Sequence, residues 1–345
     1  MKSNKWKDKN VLITGATGFV GSWLTERLIK NSANITVLVK NDPLSHVLDS
    51  NKEKINFIYG DVRDEKTVDT AIKNQDVIFH LAGITQILYS VKNPKETFEV
   101  NFGGTMNILE SVRKNSDAFL VFASTDKVYG EPSYLPLDEK HPLSAKSPYD
   151  TSKLAADRLV FTYYKIYGIK TSITRCSNII GGRDSNILRI VPGTMVSLMH
   201  NERPVIRGHG GHMRDYVYVN DAVNGILAVA EKEKITKGEA FNFGTEKMTT
   251  TVELVNSIIK LTRHKFKPII LNRSTPGEIL KQCVSFRKAK KLLKWEPKTS
   301  FKKSIMLGVG WYMKNPSWID TMKKVSKCYG VDEFSIKERK SVGEN

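Results

Sequence analysis

Cysteine is scarce: three residues, Cys176, Cys283 and Cys328, are scattered through 345 positions. They fit neither a disulfide framework nor a metal-ligand spacing. His80, His209 and His212 add no metal spacing, so no metal centre is expected. No run of about 18 apolar residues occurs, which argues against a membrane span. The opening MKSNKWKDKN is positive, but only four apolar or Thr residues follow before Gly15. That is too short for a signal peptide and points to the cytosol. Aromatic residues make up 9% of the chain and are not interleaved with its lysines, as a binder of single-stranded nucleic acid would need. The formal net charge of +18 therefore reads as lysines dispersed over solvated faces, with no nucleic-acid or membrane partner expected. No internal repeat or low-complexity tract is evident. The segment Asp320 to Asn345 is dense in charge and short of periodic apolar residues, and reads as a poorly ordered end or a surface helix.

What is present is the material of a large folded unit. A hydrophobic fraction of 40% is ordinary for globular proteins, and the length suits one large domain or two intimate ones. Asn10 to Thr14, NVLIT, reads as a buried parallel strand; GATGFVG follows, then a helical pattern with Val20, Leu24 and Leu28 four residues apart. In this strand, turn and helix context, Gly15, Gly18 and Gly21 allow a tight turn, close approach to a pyrophosphate and packing of helix on strand. The spacing is Gly-x-x-Gly-x-x-Gly. A second strand, Ile35 to Val39, ends in Lys40, Asn41 and Asp42. A basic residue there suits a ribose 2′-phosphate, and Lys40 tilts the expectation to NADP, although Asp42 lies two residues on. INFIYGDV forms a third strand ending in Asp61 and Val62. Asp76 to Gly83 forms a fourth, ending in small residues where a cofactor passes close to the backbone. The helix after Pro94 carries Phe98, Asn101 and Gly104, with Met106 and Leu109 read as core.

The strand AFLVF then ends in Ser124, Thr125, Asp126 and Lys127. A further helix is announced by Ser147 as N-cap, Pro148 at its first position and Asp150 three residues after the cap. Tyr149 and Lys153, four apart, share one face of it. An ammonium there can stabilise a phenolate, lowering the tyrosine from its ordinary value of about 10, so that it accepts a hydroxyl proton while a nicotinamide takes the hydride. Thr171 to Ile180 reads as a strand and its exit. Val217 to Glu231 is expected to return to the sheet with an Asn220 or Asp221 cap. The division expected is residues 1–180, with 215–248 returning, as a nucleotide-binding domain; 181–214 and 249–318 as a smaller lobe; and 319–345 as a charged tail.

With TGATGFVG, HLAG, STDKVYG, YDTSK and RDYVYVND in this order, the chain resembles the extended short-chain dehydrogenase/reductases that act on nucleotide sugars, from about residue 8 to 318. The resemblance implies an α/β fold: a doubly wound Rossmann-type parallel sheet of about seven strands with a smaller C-terminal α/β substrate-binding lobe. It implies a tightly held, recycled NAD(P), a nucleotide diphosphate sugar as substrate, and a homodimer paired through the helices of Asn101 and Tyr149. Carried over residue by residue, Gly15, Gly18 and Gly21 hold the pyrophosphate and Asp61 and Val62 border the adenine. Thr17, Phe19, Val20, Leu81, Ala82 and Gly83 complete the cofactor cleft. Thr125, Tyr149 and Lys153 form the catalytic set.

Epimerases of this family have small residues directly after the catalytic Ser/Thr, whereas dehydratases place an acid and a base there. The dTDP-glucose 4,6-dehydratases show Thr-Asp-Glu. Thr125, Asp126 and Lys127 look more like CDP-glucose 4,6-dehydratases and inverting dehydratases of UDP-N-acetylglucosamine, and Ser177 to Pro192 also looks CDP-glucose dehydratase-like. After C4 oxidation, eliminating water across C5 and C6 needs a base at C5 and an acid for the leaving 6-hydroxyl. Asp126 is the candidate acid and Lys127 the candidate base, with reversed or shared roles open. A carboxyl serving as acid needs burial or a close carboxylate, and a lysine serving as base needs burial or neighbouring positive charge. Asn178 is a candidate donor to the diphosphate, Arg189 and Arg214 are candidate clamps, and Glu278 sits where relatives approach the nucleotide. The expected activity is a nucleotide-sugar 4,6-dehydratase leaning to CDP-glucose. A 4-epimerase is the alternative, and a non-catalytic cofactor sensor ranks behind both.

Overall fold

A computed structural model of the chain describes residues 4–40, 44–273 and 279–330. In chain order the strands are β1 (Asn10–Thr14), β2 (Asn34–Val39), β3 (Ile55–Tyr59), β4 (Val77–His80), β5 (Phe119–Ala123), β6 (Thr171–Cys176), β7 (Asn178–Ile180), β8 (Val205–Ile206), β9 (Met213–Tyr218), β10 (Ala240–Phe243), β11 (Met248–Thr250), β12 (Ile269–Ile270) and β13 (Lys281–Gln282). Seven of them form one parallel sheet in the order β10-β6-β5-β4-β1-β2-β3. Two-residue alternation sorts their side chains. Val11, Ile13, Val37, Val39, Phe119 and Val121 fill the apolar layer on one face, while Leu12, Leu38, Leu120 and Phe122 fill the layer on the other. Both faces are covered, which is why the strands are near-continuous hydrophobic runs. The strand order reverses beside β1, whose neighbours are β2 and β4, and a crevice opens at the carboxyl ends of strands at such a switch point.

The expected α/β architecture is therefore what forms. The helix Pro148–Tyr167 begins as read, with the Ser147 hydroxyl accepting the Asp150 N–H at 3.1 Å and Pro148 in its first turn. The helix expected after Pro94 is interrupted by a π-turn, Glu99–Gly103, before Gly104–Asn115; Ile108 and Leu109 are buried there, whereas Met106 is half-buried.

The return to the sheet differs from expectation. Met213–Tyr218 joins β7, β11 and β13 in a smaller four-stranded sheet, and the strand that rejoins the large sheet is β10, beside β6. The helix Val219–Ala230 starts directly after Tyr218, so neither Asn220 nor Asp221 caps it. The Asp221 carboxylate instead accepts the backbone N–H groups of Lys298 and Thr299 at 3.2 and 2.8 Å, a distant pair that outcompetes the local cap.

Of the two readings of the charged segment, a poorly ordered end or a surface helix, the described part is a helix, and one that packs more firmly than a surface helix implies. Trp318–Cys328 is a helix whose buried residues include Trp318, Ile319, Met322 and Val325, with Asp320, Lys323, Lys324 and Lys327 outward. Trp318, Ile319 and Met322 join one apolar cluster with Met195, Leu254, Ile305 and Tyr312 from the helices of the smaller lobe. Charge density hid an apolar stripe of helical spacing. Residues 331–345 lie outside the described part. Trp318→Ala is expected to cost about 3–5 kcal/mol in urea unfolding, as for a buried Trp truncation, where a surface tail would show less than about 0.5 kcal/mol.

Candidate active site

A cleft of about 940 Å³ opens along the carboxyl ends of β1, β4, β5 and β6. The turn after β1 forms its floor. Gly15 has φ +71°, and a Cβ on it would stand 2.7 Å from the Ala82 backbone nitrogen; one on Gly21 would stand 2.1 Å from the Gly15 oxygen. The turn is thus pressed against the exit of β4, and only glycine fits. Helix Phe19–Lys30 begins at Gly18 with no side chain capping it, so its first N–H groups are available to an anion. Asn101 braces the far wall: its Oδ1 accepts Ile84 N–H at 2.8 Å, and its Nδ2 donates to the Ile84 carbonyl at 3.0 Å and to Ser152 Oγ at 2.8 Å. This glycine-shaped cradle and helix start fit a dinucleotide pyrophosphate. Thr17, Phe19, Val20, Leu81, Ala82, Gly83 and Val62 line the same cleft.

At the ends of β2 and β3, Asp61 lies 3.1 Å from Lys40 Nζ and 2.8 Å from Arg63 Nη2. Burial pushes its carboxyl up, but hydrogen bonds from Arg63 and Lys40 outweigh it and hold the group well below the usual carboxylate range. Lys40, read from sequence as free for a 2′-phosphate, is already engaged by Asp61. Asn41 and Asp42 lie outside the described residues.

The chemistry-bearing groups meet at the end of β5. Thr125 caps a short 3-10 turn, Asp126–Tyr129, its hydroxyl accepting Lys127 N–H at 3.3 Å. Asp126 is 2% exposed; its Oδ1 lies 3.5 Å from Lys127 Nζ, and its Oδ2 has no hydrogen-bond partner. Asp126 is thus buried and Lys127 half-buried, and both line the cleft. Lys127 is pulled below its ordinary value, first by burial and further by Arg214, against the opposing pull of Asp126 and Asp150. Its Nζ donates to Gln282 Oε1.

Tyr149 and Lys153 flank the same space, but their protonation differs from expectation. Burial, reinforced by Asp150, pushes the Tyr149 phenol up to about 12, against lowering by Arg189 and a hydrogen bond with Thr125. Lys153 is pushed down to about 7 by burial, only partly opposed by Asp157. Its Nζ sits 4.1 Å above the Phe122 ring. The ammonium read as lowering the tyrosine is itself destabilised by desolvation, so the protein alone favours neutral phenol.

On the other wall, Asn178, Arg189 and Arg214 all line the cleft. Asn178 Nδ2 is buried without a partner, as a donor awaiting a ligand would be. Arg189, its side chain 40% exposed, pairs with Asp184 at 3.2 Å and acts electrostatically on Tyr149. Arg214 is committed to backbone carbonyls: Met213 and Leu280 at 3.0 Å, and Ile279. Glu278 lies outside the described residues. Sequence reasoning missed three groups. Asp150, read only as a helix-start residue, is buried with an unpartnered Oδ1 and acts on both Tyr149 and Lys127. Gln282 carries no local signal. Val325 and Tyr329, from the segment read as a tail, line the cleft, where Tyr329 stacks edge-on to Tyr89 at 5.0 Å. His80 is fully buried between Thr14 and Thr105 hydroxyls at 2.7 and 3.0 Å, a structural role. Among the described residues no cluster of three or more His, Cys, Asp or Glu could hold a metal, and no helix is long and apolar enough to cross a membrane.

Residues 12–307 match the family described as GDP-mannose 4,6 dehydratase. The chain belongs to that family. It is thereby an extended short-chain dehydrogenase/reductase, an enzyme of the nucleotide-sugar dehydratase and epimerase type. A Methanocaldococcus jannaschii protein assigned as a UDP-glucose 4-epimerase is 34% identical over 320 residues, covering 88% of this chain and 98% of the relative. The structure of a Thermotoga maritima UDP-glucose 4-epimerase with UDP-glucose superposes with a TM-score of 0.82 at 28% identity, over 89% of this chain and 99% of that one. A Bacillus anthracis dTDP-glucose 4,6-dehydratase in complex with NAD gives 0.80 at 28% identity, over 91% and 99%.

Lys153 at about 7 stands below the value of about 10.4 for an unfolded chain. Between about pH 7 and pH 10 the unfolded state therefore binds the extra proton, and stability rises with pH. Lys153→Met should remove part of that rise, at most about 1.4 kcal/mol per pH unit, when urea unfolding of the two proteins is compared across the window.

Proposed function

We propose that this chain is a nucleotide-sugar 4,6-dehydratase, converting an NDP-hexose to its 4-keto-6-deoxy product. The observation that carries the reading is Asp126 beside Lys127, buried, lining the cleft that holds Thr125, Tyr149 and Lys153. An epimerase needs no such pair. Gly15, Gly18, Gly21 and the start of helix Phe19–Lys30 would hold the pyrophosphate of a nicotinamide dinucleotide, with Asp61 and Val62 at its adenine and Leu81 to Gly83, Tyr149 and Lys153 towards its nicotinamide. That group supplies a hydride acceptor that later becomes the donor, so no net redox occurs.

The chain's own residues would do the rest. Thr125, hydrogen-bonded with Tyr149, orients the 4-hydroxyl, and Tyr149, neutral in the protein alone, would take its proton once the positive charge of an oxidised nicotinamide in the cleft favours the phenolate. Lys127, kept low by burial, takes the C5 proton that the adjacent ketone acidifies, and Asp126 protonates the leaving 6-hydroxyl, which departs as water. Asn178 and Arg189 would bind the diphosphate, and Arg214 would brace Ile279 and Leu280 beside them. With Lys40 held by Asp61 and a related dehydratase solved with NAD, NAD is the better assignment than NADP. The preference for CDP-glucose rests on the sequence pattern alone, since these relatives are named for uridine and thymidine sugars. A homodimer through the helices of Asn101 and Tyr149 and a cytosolic location complete the proposal. The second reading, a 4-epimerase, is favoured by the 34% identity to the Methanocaldococcus protein.

Incubation with CDP-, UDP-, GDP- and dTDP-hexoses should yield, from at least one, a 4-keto-6-deoxy sugar lighter by one water in mass spectrometry. Recovery of a 4-epimer alone would overturn the reading. Lys127→Met should bind cofactor normally yet lose elimination by roughly 100-fold or more, with reduced cofactor accumulating on substrate addition. Normal product formation would reduce Lys127 to an ion-pair partner.

A further inference from the structure

Gln282 lies at the end of β13, completely buried, where the smaller sheet pairs it with Arg214 on β9. Its amide reaches across to the turn that ends β5. The Nε2 donates to the Asp126 carbonyl at 2.7 Å, and Oε1 accepts from Lys127 Nζ. A backbone carbonyl can only accept, so the amide's NH₂ must face Asp126 and its oxygen must face the amine. Flipping the amide would set NH₂ against Lys127 and oxygen against oxygen. Gln282 is thus locked in the orientation that offers Lys127 an uncharged acceptor.

We propose that Gln282 is a positioning residue for the elimination step: it holds the Lys127 amine beside Asp126 and, as a neutral acceptor, sets how readily that amine gives up its proton. The inference rests on the elimination role of Lys127 argued above. The groups facing Lys127 come from three other directions: Asp126 on its own turn, Asp150 on helix Pro148–Tyr167, and Arg214 on β9. Tyr149 and Asp215 lie close enough to interact electrostatically with Asp126. Two carboxylates and a guanidinium therefore act on the amine through space, whereas Gln282 adds a directed hydrogen bond without charge. A glutamate of the same shape would add a second buried anion in contact with the ammonium and hold its proton. An apolar residue would leave the amine with Asp126 alone and free to swing.

The smaller lobe supplies this contact through a segment fixed at both ends. Arg214 binds the carbonyls of Ile279 and Leu280, and Leu137 N–H binds the Cys283 carbonyl at 2.8 Å. Gln282 cannot drift without the lobe, so the base of the elimination is registered against the wall that would carry the nucleotide sugar.

The test compares Gln282→Glu and Gln282→Leu in the full-length protein with bound cofactor. Because a base must be neutral to act, the rising limb of the elimination pH profile reports the amine. Gln282→Glu should move that limb up by about one pH unit or more. Gln282→Leu should move it down and lower the pH-independent elimination rate about tenfold, more than it lowers C4 oxidation. Opposite shifts are the signature, since a merely structural residue would slow both variants at unchanged pH dependence. Reductive methylation of Lys127 against pH, read by mass spectrometry, gives the same comparison without turnover; should the leucine variant fail to fold, the isosteric glutamate variant carries it alone. Unshifted profiles in a protein that dehydrates normally would overturn the role of Gln282. Shifted methylation in a protein that yields only a 4-epimer would uphold the contact and overturn the dehydratase reading instead.

Discussion

The site depends on a buried network centred on Tyr129, at the end of the turn that carries Asp126 and Lys127. The Tyr129 hydroxyl donates to Asn242 Oδ1 at 2.7 Å and accepts from Arg175 Nη1 at 2.9 Å, while Arg175 holds both oxygens of Asp157 at 3.0 and 2.7 Å. Those residues come from β10, β6 and helix Pro148–Tyr167, so the turn is anchored to the sheet edge and to the helix that carries Tyr149 and Lys153. A buried charge pair costs free energy unless every polar group finds a partner, and here each does. The rigidity matters because it keeps Asp126 out of water and holds Lys127 where burial lowers its amine.

Desolvation is the dominant force on the reacting groups. It is the largest influence on Tyr149, on Lys153 and on Lys127, and in each case it exceeds the pull of the nearest partner. Read as charges on a helix wheel, Tyr149 and Lys153 form a phenolate and ammonium. In the folded protein both are pressed towards neutrality, which keeps the energy difference between phenol with amine and phenolate with ammonium open to whatever charge enters the cleft. A site that stored the ion pair permanently would bind the 4-hydroxyl no better and would have less to gain in the transition state.

The legible parts of this molecule were those written locally. The glycine turn, the Ser147 cap with Pro148, and the four-residue step from Tyr149 to Lys153 each specify their geometry within one turn of chain, and each stands where the spacing put it. What was not legible depends on partners far away in sequence. Asp221 reads as a cap until Lys298 and Thr299 are seen to claim it. Lys40 reads as free until Asp61 occupies it. Met322 and Val325 read as part of a charged tail because their apolar stripe is diluted by the lysines between. Gln282, more than 150 residues from the turn it contacts, has no signature at all.

The same distinction bears on why one scaffold can host both epimerases and dehydratases. On the proposed reading, the cradle for the cofactor and the pair Tyr149 and Lys153 serve C4 oxidation, which both reactions share. Elimination adds a proton to be taken at C5 and another to be given at C6, on adjacent carbons. Two groups 3.5 Å apart on consecutive residues can span that distance, provided that neither neutralises the other permanently. Burial weakens the ammonium of Lys127, Arg214 weakens it further, and Asp126 keeps one oxygen without a partner. On the proposed reading, base and acid are two neighbouring groups in different surroundings. The separation requires both lobes: the turn supplies the pair, and β9 and β13 supply Arg214 and Gln282 around it. On that reading, a relative with small residues in place of Asp126 and Lys127 would keep the same walls and lack the pair that elimination needs.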